Sequence, residues 1–247
     1  MSTTQKPLDP KSLDLTKLPW TENDLLLMGK WARSPIDYLT DCCHTMDEVR
    51  AGRTDVPSIR TLPYLPHIEW FAKLWQERHL LAVIKSRRMQ FSWTSCALED
   101  WLCNWTMGVR VGVIAQKQAT AEKFLARHVF IHDHLPEILL PGGGKSRIRA
   151  RKGIQGDPKK IEYLDTNSTI EAFPSDPEAI RSEGMTLLRL EEVQSWDEGS
   201  PNRTEKSWRA ILPVIQGGGR VIAIGTPLAG TWYERLIKDQ FEVAVGA

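Results

Sequence analysis

Apolar positions along this chain fall into two rhythms. Near-continuous apolar runs such as Leu80-Leu81-Ala82-Val83-Ile84 predict strands, here over 80–84, 109–115, 161–164, 169–173, 186–190 and 220–225. Several carry no polar face, as expected for strands covered on both sides. Between them, helical spacing predicts helices over 92–105, 119–130 and 204–212. Pro66 opens another over 66–76, with Ile68, Phe71, Leu74 and Trp75 on one face. Strands alternating with helices of this length imply an α/β fold around a mostly parallel, doubly wound sheet. Asp165-Thr166-Asn167-Ser168 joins two of the runs as a hairpin turn, which adds local antiparallel pairing.

Before residue 60 the pattern changes. Residues 1–19 hold three prolines and little periodicity, and read as a mobile arm or a segment that orders on a partner. From Glu22 to Thr45 the apolar positions fit two short helices broken before Pro35, followed by a polar link through Arg53. The expected division is an arm over 1–19, a helical lid or brace over 20–60, and a core over 61–247. A chain of 247 residues with 41% hydrophobic content can bury one substantial core. Its net charge of +1 gives no global attraction to nucleic acid, so such affinity rests on local patches. The patches are Arg87-Arg88 and the run Lys145-Ser146-Arg147-Ile148-Arg149-Ala150-Arg151-Lys152, while the segment Pro141-Gly142-Gly143-Gly144-Lys145-Ser146 reads as a flexible basic loop, solvated or touching DNA phosphates. Four cysteines without a C-x-x-C pair argue against a zinc site or a disulfide framework and read as reduced thiols. With no apolar leader core and no long apolar run, a soluble intracellular protein without membrane association is expected.

In open α/β sheets ligands lie beyond the carboxyl ends of the strands, so the residues just after each run matter most. After Ile84 comes Lys85-Ser86-Arg87-Arg88-Met89-Gln90-Phe91-Ser92-Trp93, a basic turn that opens a helix. Backbone N–H groups at such a helix start hold phosphate, and Ser92 would stand beside Mg²⁺. Gln90 and Phe91 occupy the places of the last glycine and the lysine in the usual phosphate loop. Taken alone, Lys85 and Arg87 would read as solvated charges. After the 186–190 run come Glu191-Glu192, the pair a nucleotide hydrolase needs: one carboxylate for the metal shell, the other to orient or deprotonate water. After the 220–225 run comes Thr226, placed to sense a γ-phosphate. Gly144-Lys145-Ser146 mimics a phosphate loop, but neither a clean apolar strand before it nor an amphipathic helix after it supports that reading.

As an ordered set, these motifs resemble the ATPase domain of the large terminase subunit of tailed bacteriophages, over roughly residues 60 to 235. Many members carry a phosphate loop with the lysine at its front, K-S-x-R-x-G-x-S, which residues 85–92 match apart from Gln90. Leu187-Leu188-Arg189-Leu190-Glu191-Glu192 is similar to the family's acid-ending strand, and Ile222-Ala223-Ile224-Gly225-Thr226-Pro227 to its coupling motif. Phe173-Pro174-Ser175-Asp176-Pro177-Glu178-Ala179-Ile180-Arg181 looks like the approach that carries the family's arginine.

The resemblance implies a P-loop NTPase of the RecA-like, ASCE type, a three-layer sandwich with a mostly parallel central sheet. It also implies ATP and Mg²⁺ as cofactors. Lys85 would then neutralise the β- and γ-phosphates, with 86–93 lining the phosphate site. Ser92 and Glu191 would hold the metal, directly or through water, and Glu192 would activate water. Thr226 would couple hydrolysis to movement, and Arg181 would enter a neighbouring subunit's site. His67 falls where the family's adenine-region glutamine often lies. The implied partners are double-stranded DNA, the portal protein, the small terminase subunit and further copies of the chain in a homo-oligomeric ring on the prohead, in the cytoplasm of an infected bacterium. The family's nuclease domain does not fit in the 20 residues after Pro227, so no DNA cleavage is expected. Glutamine for glycine at 90, and glutamate for aspartate at 191, imply slow or partner-dependent turnover. Two other readings remain: a helicase-like translocase, which would need a second lobe, and a weakly active nucleotide-binding assembly module. Arg189, a charge inside an apolar strand, is assigned no role.

Overall fold

A computed structural model describes residues 20–46, 58–86, 89–137, 147–153, 156–180, 184–198, 200–226, 228–240 and 242–245. Two helices lead, α1 (Glu22–Arg33) and α2 (Pro35–Cys42), followed by a short antiparallel pair, β1 (His44–Met46) with β2 (Ile59–Thr61). Thr21 starts α1 by a reciprocal capping box with Asp24, and Ser34 ends α1 while capping α2, whose first residue is Pro35. Next come α3 (Pro66–Glu77), β3 (Leu80–Ile84), α4 (Phe91–Trp105), β4 (Arg110–Ala115) and α5 (Gln118–Asp133). A hairpin-rich stretch follows: β5 (Ile148–Lys152), β6 (Pro158–Tyr163) and β7 (Ser168–Pro174). The chain then runs through α6 (Pro177–Ile180), β8 (Leu187–Glu191), α7 (Arg203–Gln216), β9 (Arg220–Gly225), α8 (Trp232–Gln240) and β10 (Glu242–Val245).

Eight of these strands form one sheet in the order β10-β3-β9-β8-β4-β7-β6-β5. Neighbours from β10 to β7 are parallel, while β7, β6 and β5 pair antiparallel as the hairpin turn predicts. Because the five strands that end at Ile84, Gly225, Glu191, Ala115 and Pro174 run parallel, their carboxyl ends share one edge of the sheet. Strand β9 lies between β3 and β8, so the basic turn and the acid pair stand on either side of Thr226.

Period-two alternation assigns each strand residue to one of two cores. Leu81, Val83, Val111, Val113, Leu187, Ile222 and Ile224 face Trp31, Tyr38, Phe71, Trp75, Leu98 and Leu125 of α1 to α5. Ala82, Ile114, Leu188, Leu190, Val221 and Ala223 face Ile180, Trp208, Ile211, Tyr233 and Leu236 of α6 to α8. The result is three layers, each fully buried Phe or Leu contributing ~1.5–3 kcal/mol. Helices α1 and α2 join the first of these cores, with Trp31, Tyr38, Leu39, Cys42 and Cys43 all buried there. Trp101 donates its Nε1–H to the Trp31 carbonyl at 2.9 Å, which seats α1 on α4.

Residues 148–152 of the basic run form β5, because Arg149 and Arg151 alternate with apolar neighbours and ion-pair with Glu162 on β6. Gly144-Lys145-Ser146 and the 1–19 arm lie outside the described residues. Beyond Thr226 the chain adds α8 and β10, with Tyr233, Leu236 and Ile237 at the i, i+3, i+4 spacing that buries a helix face. The four cysteines are free and buried. Among the described residues, no helix is long and apolar enough to cross a membrane.

Candidate active site

The site assembles where β3, β9 and β8 end. The backbone N–H of Lys85 donates to the Gly225 carbonyl at 3.0 Å, holding the first residue of the basic turn against the tip of β9. Arg87 and Arg88 lie outside the described residues, and so does Arg181. Ser86 is exposed, and Met89 packs partly buried against the first core. Gln90 precedes α4 in the left-handed conformation, φ 61° and ψ 9°, and so adopts the backbone that a glycine would favour there. Its carbonyl accepts from the backbone N–H of Thr94, its side-chain Oε1 is buried without a hydrogen-bond partner, and no side chain caps the helix start. The first-turn N–H groups of α4 are thereby left for an anion.

Phe91 and Trp93 need correction as phosphate-site side chains. Phe91 is buried and meets Phe71 edge-on at 5.0 Å and His67 at 5.6 Å, so its ring belongs to the core and only its backbone faces the turn. Trp93 packs edge-on against Phe130, with the Arg127 guanidinium over its ring at 5.4 Å. His67 sits behind Phe91 on α3, its Nε2 buried without a partner.

Ser92 and Glu191 meet. The Ser92 hydroxyl donates to Glu191 Oε2 at 3.3 Å, across 99 positions of sequence. Glu191 is 1% exposed, and Arg189 donates from Nη1 to its Oε1 at 2.7 Å. Burial raises the Glu191 carboxyl above its ordinary value, while Arg189, Lys85 and Arg127 pull it back. The Lys85 charge therefore reaches the same carboxylate as the Ser92 hydroxyl. Glu192 next to it is exposed and left-handed, φ 51°, so the chain turns sharply and carries this side chain away from the strand. A 3₁₀ turn at Val193–Ser195 follows.

Further side chains fix this turn. The Glu192 N–H donates to the Ile224 carbonyl at 2.8 Å, and Gln116 Nε2 at the end of β4 donates to the Ser195 carbonyl at 2.7 Å. Thr226 is half-buried, and its backbone N–H donates to Gln194 Oε1 at 3.2 Å. Gly225 is glycine for a steric reason: an added Cβ would sit 2.6 Å from both Gln194 Oε1 and the Tyr233 ring. Sequence reasoning missed Gln116, Gln194, Glu99 and His128. Glu99 was legible: it lies on the helix stripe that also carries Ser92, Cys96 and Cys103, where an acid is out of place unless it has a partner.

Mg²⁺ takes oxygen ligands, usually one or two protein groups with phosphate and water completing the shell. The Ser92 hydroxyl and Glu191 Oε2 fit that description. Among the described residues no group of three or more His, Cys, Asp or Glu converges to hold a metal alone.

The chain is similar in three dimensions to solved phage proteins. An ATPase-domain variant of the Thermus phage P74-26 large terminase superposes with a TM-score of 0.51 at 12% identity, covering 75% of this chain and 81% of that one. The large terminase of bacteriophage HK97 gives 0.59 at 10% identity, covering 87% and 43%. The large terminase of a thermophilic bacteriophage, in complex with ADP, gives 0.52 at 10% identity, covering 74% and 45%. The fold is that of large-terminase ATPase domains. It is a three-layer α/β architecture with a mostly parallel central sheet, as the resemblance implies, with its strands in the order described. The chain spans less than half the length of the latter two large terminases. No family model matches the sequence. At these identities the terminase likeness concerns the backbone, and the chemistry rests on the side chains above.

Proposed function

We propose that this chain is a Mg²⁺-dependent ATPase whose hydrolysis drives double-stranded DNA into a viral prohead, as the motor domain of a large terminase. One observation carries the reading: the Ser92 hydroxyl at the start of α4 and the Glu191 carboxylate at the end of β8 meet at 3.3 Å on the carboxyl edge of the sheet. Lys85 and the first-turn N–H groups of α4 bind the triphosphate. Ser92 and Glu191 hold Mg²⁺, which offsets charge on the transferred phosphoryl group. Glu192, exposed beside them, orients water for in-line attack and accepts its proton. Thr226 senses the γ-phosphate and passes the change to β9, and Arg181 serves a neighbouring copy's site in a ring. The portal protein and small terminase subunit are the partners, and the infected host's cytoplasm is the setting.

The assembly-module reading draws on Gln90 and Phe91. The left-handed backbone of Gln90 removes one ground for it, since the turn keeps the shape a glycine would give. Phosphate release measured with and without linear DNA tests the proposal. Glu192→Ala is expected to lose at least ~10²-fold in turnover, the usual share of a general base. Turnover absent from the unsubstituted chain, even with DNA, overturns the motor reading. Turnover without packaging of linear DNA favours the helicase-like translocase instead.

A further inference from the structure

Arg189 lies in the middle of β8, between Leu188 and Leu190, and it is fully buried. Residues two apart on a strand share a face, so Arg189 and Glu191 both point toward α4 and α5. The guanidinium is engaged on every side. Nη1 donates to Glu191 Oε1 at 2.7 Å and lies 3.5 Å from the Ser92 carbonyl. Nε ion-pairs with Glu99 Oε1 of α4 at 2.8 Å. Nη2 reaches Cys96 Sγ at 3.4 Å and His128 Nε2 at 3.3 Å, and the ring of Phe124 lies 5.2 Å from the guanidinium carbon. Glu99 in turn holds His128 Nε2 at 3.0 Å. Three elements, the acid-bearing strand, the phosphate helix and α5, meet around this guanidinium, α5 through the Phe124 ring and through His128 on Glu99.

We propose that Arg189 is a positioning residue for the metal-side carboxylate, clamping Glu191 Oε1 so that Oε2 is presented beside Ser92, and tying that carboxylate through Glu99 to the helix that receives the phosphates. This rests on the reading of Ser92 and Glu191 as the metal pair. The carboxylate has two oxygens with separate duties: one is held by the guanidinium, the other meets the hydroxyl. Glutamate reaches one methylene further than aspartate, so without a second anchor its head would have more positions to sample. Arg189 removes that freedom with a planar, forked donor that lysine cannot reproduce. Groups that orient a metal ligand typically alter metal affinity ~10–100-fold when removed.

The test is a Mg²⁺ titration of the full chain in the presence of adenylyl imidodiphosphate, followed by the ligand-induced rise in thermal midpoint. Arg189→Lys keeps the charge and loses the fork, so its Mg²⁺ half-saturation should rise ~10-fold or more, while the rise induced by the nucleotide analogue in EDTA stays as in the unsubstituted chain. Glu99→Gln, which leaves the Arg189–Glu191 contact in place, should shift it in the same direction by less. Tyr38→Phe, a buried change away from the site, should lower the melting temperature and leave the Mg²⁺ half-saturation unmoved. An Arg189→Lys chain with the unsubstituted half-saturation overturns the positioning role. So does a Tyr38→Phe chain that shifts half-saturation as much as Arg189→Lys, because general loosening would then explain both. If the unsubstituted chain shows no Mg²⁺-dependent response, the metal pair itself fails and this inference with it. Should Arg189→Lys not fold, an unchanged half-saturation in Glu99→Gln overturns the coupling to α4.

Discussion

Two neighbouring acids on α4 hold two different kinds of buried cluster. Glu99 faces the sheet and meets ionised or ionisable partners, Arg189 and His128. Asp100 faces α2 and the hairpin and meets three neutral donors, the hydroxyls of Tyr38 and Tyr163, each at 2.6 Å, and Asn104 Nδ2 at 2.9 Å, with a single ionisable partner, His132 Nδ1, at 3.3 Å. Both acids are fully buried. The difference lies in what each cluster must do. Hydroxyl donors satisfy a lone carboxylate with little extra charge to desolvate, which suits a joint that seats the N-terminal helices on the core. A buried guanidinium between two carboxylates is costly to desolvate and is weak as a stabiliser, but it fixes where each carboxylate sits. The charged cluster stands under the candidate metal pair and the hydroxyl cluster stands away from it.

The most severe way to break this contrast is Arg189→Met, which leaves Glu191 buried without its cation and Glu99 with His128 alone. Denaturant unfolding should show a loss of ~3–5 kcal/mol. Adding Glu99→Gln to that chain should recover part of the loss, a non-additivity that a mere packing defect would not show. In the hydroxyl cluster the expected cost is smaller. Asp100→Asn keeps the shape and weakens the charge-assisted bonds from its four donors, so ~2–3 kcal/mol should be lost, with Mg²⁺ binding unaffected.

The clusters should also weaken at opposite ends of the pH scale. Burial opposes the charged form of His128, yet Cys96 and Glu99 push its imidazole up to about 9. A raised folded pKa contributes stability that is fully present below the unfolded value near ~6.5 and is lost as pH climbs through the folded one. Asp100 behaves in the reverse sense: burial raises it, but His132, Tyr163 and Tyr38 hold it below its ordinary value. Its contribution is present above the unfolded value near ~3.9 and is lost as pH falls through the lowered one. Melting temperatures across the pH range should therefore lose their alkaline decline in His128→Gln and part of their acid decline in Asp100→Asn. The smallest effect serves as a reference outside both clusters. Gln90→Gly relieves a left-handed side-chain residue at the cost of greater backbone freedom in the unfolded chain, so chemical denaturation should move by less than ~1 kcal/mol, toward stability.

Strands β3 and β9 at the centre of the site were legible because each is a near-continuous apolar run. The run over 80–84 becomes β3 without change, and 220–225 becomes β9. Strand β5 was not, because its exposed residues are arginine and lysine: an edge strand needs no apolar face, and its partner Glu162 is eleven residues from Arg151. Strand β10 is four residues long, too short for periodicity to speak. Lys85, Ser92 and Glu191 could be picked out one by one at strand ends. What a linear reading cannot supply is the charge inside β8. Arg189 stays anomalous until Glu99, 90 positions away, is seen against it.

One small amide carries a mechanical consequence. Gln194 accepts a hydrogen bond from Thr226 and fills the space that Gly225 leaves open, so the tip of β9 and the bend after Glu192 are keyed together like tooth and notch. Neither can be displaced alone without opening a void and stranding a polar group. Whatever shifts the bend must drag the neighbouring tip with it, and through Tyr233, whose hydroxyl rests on the Ala223 carbonyl, the outer helix α8 as well.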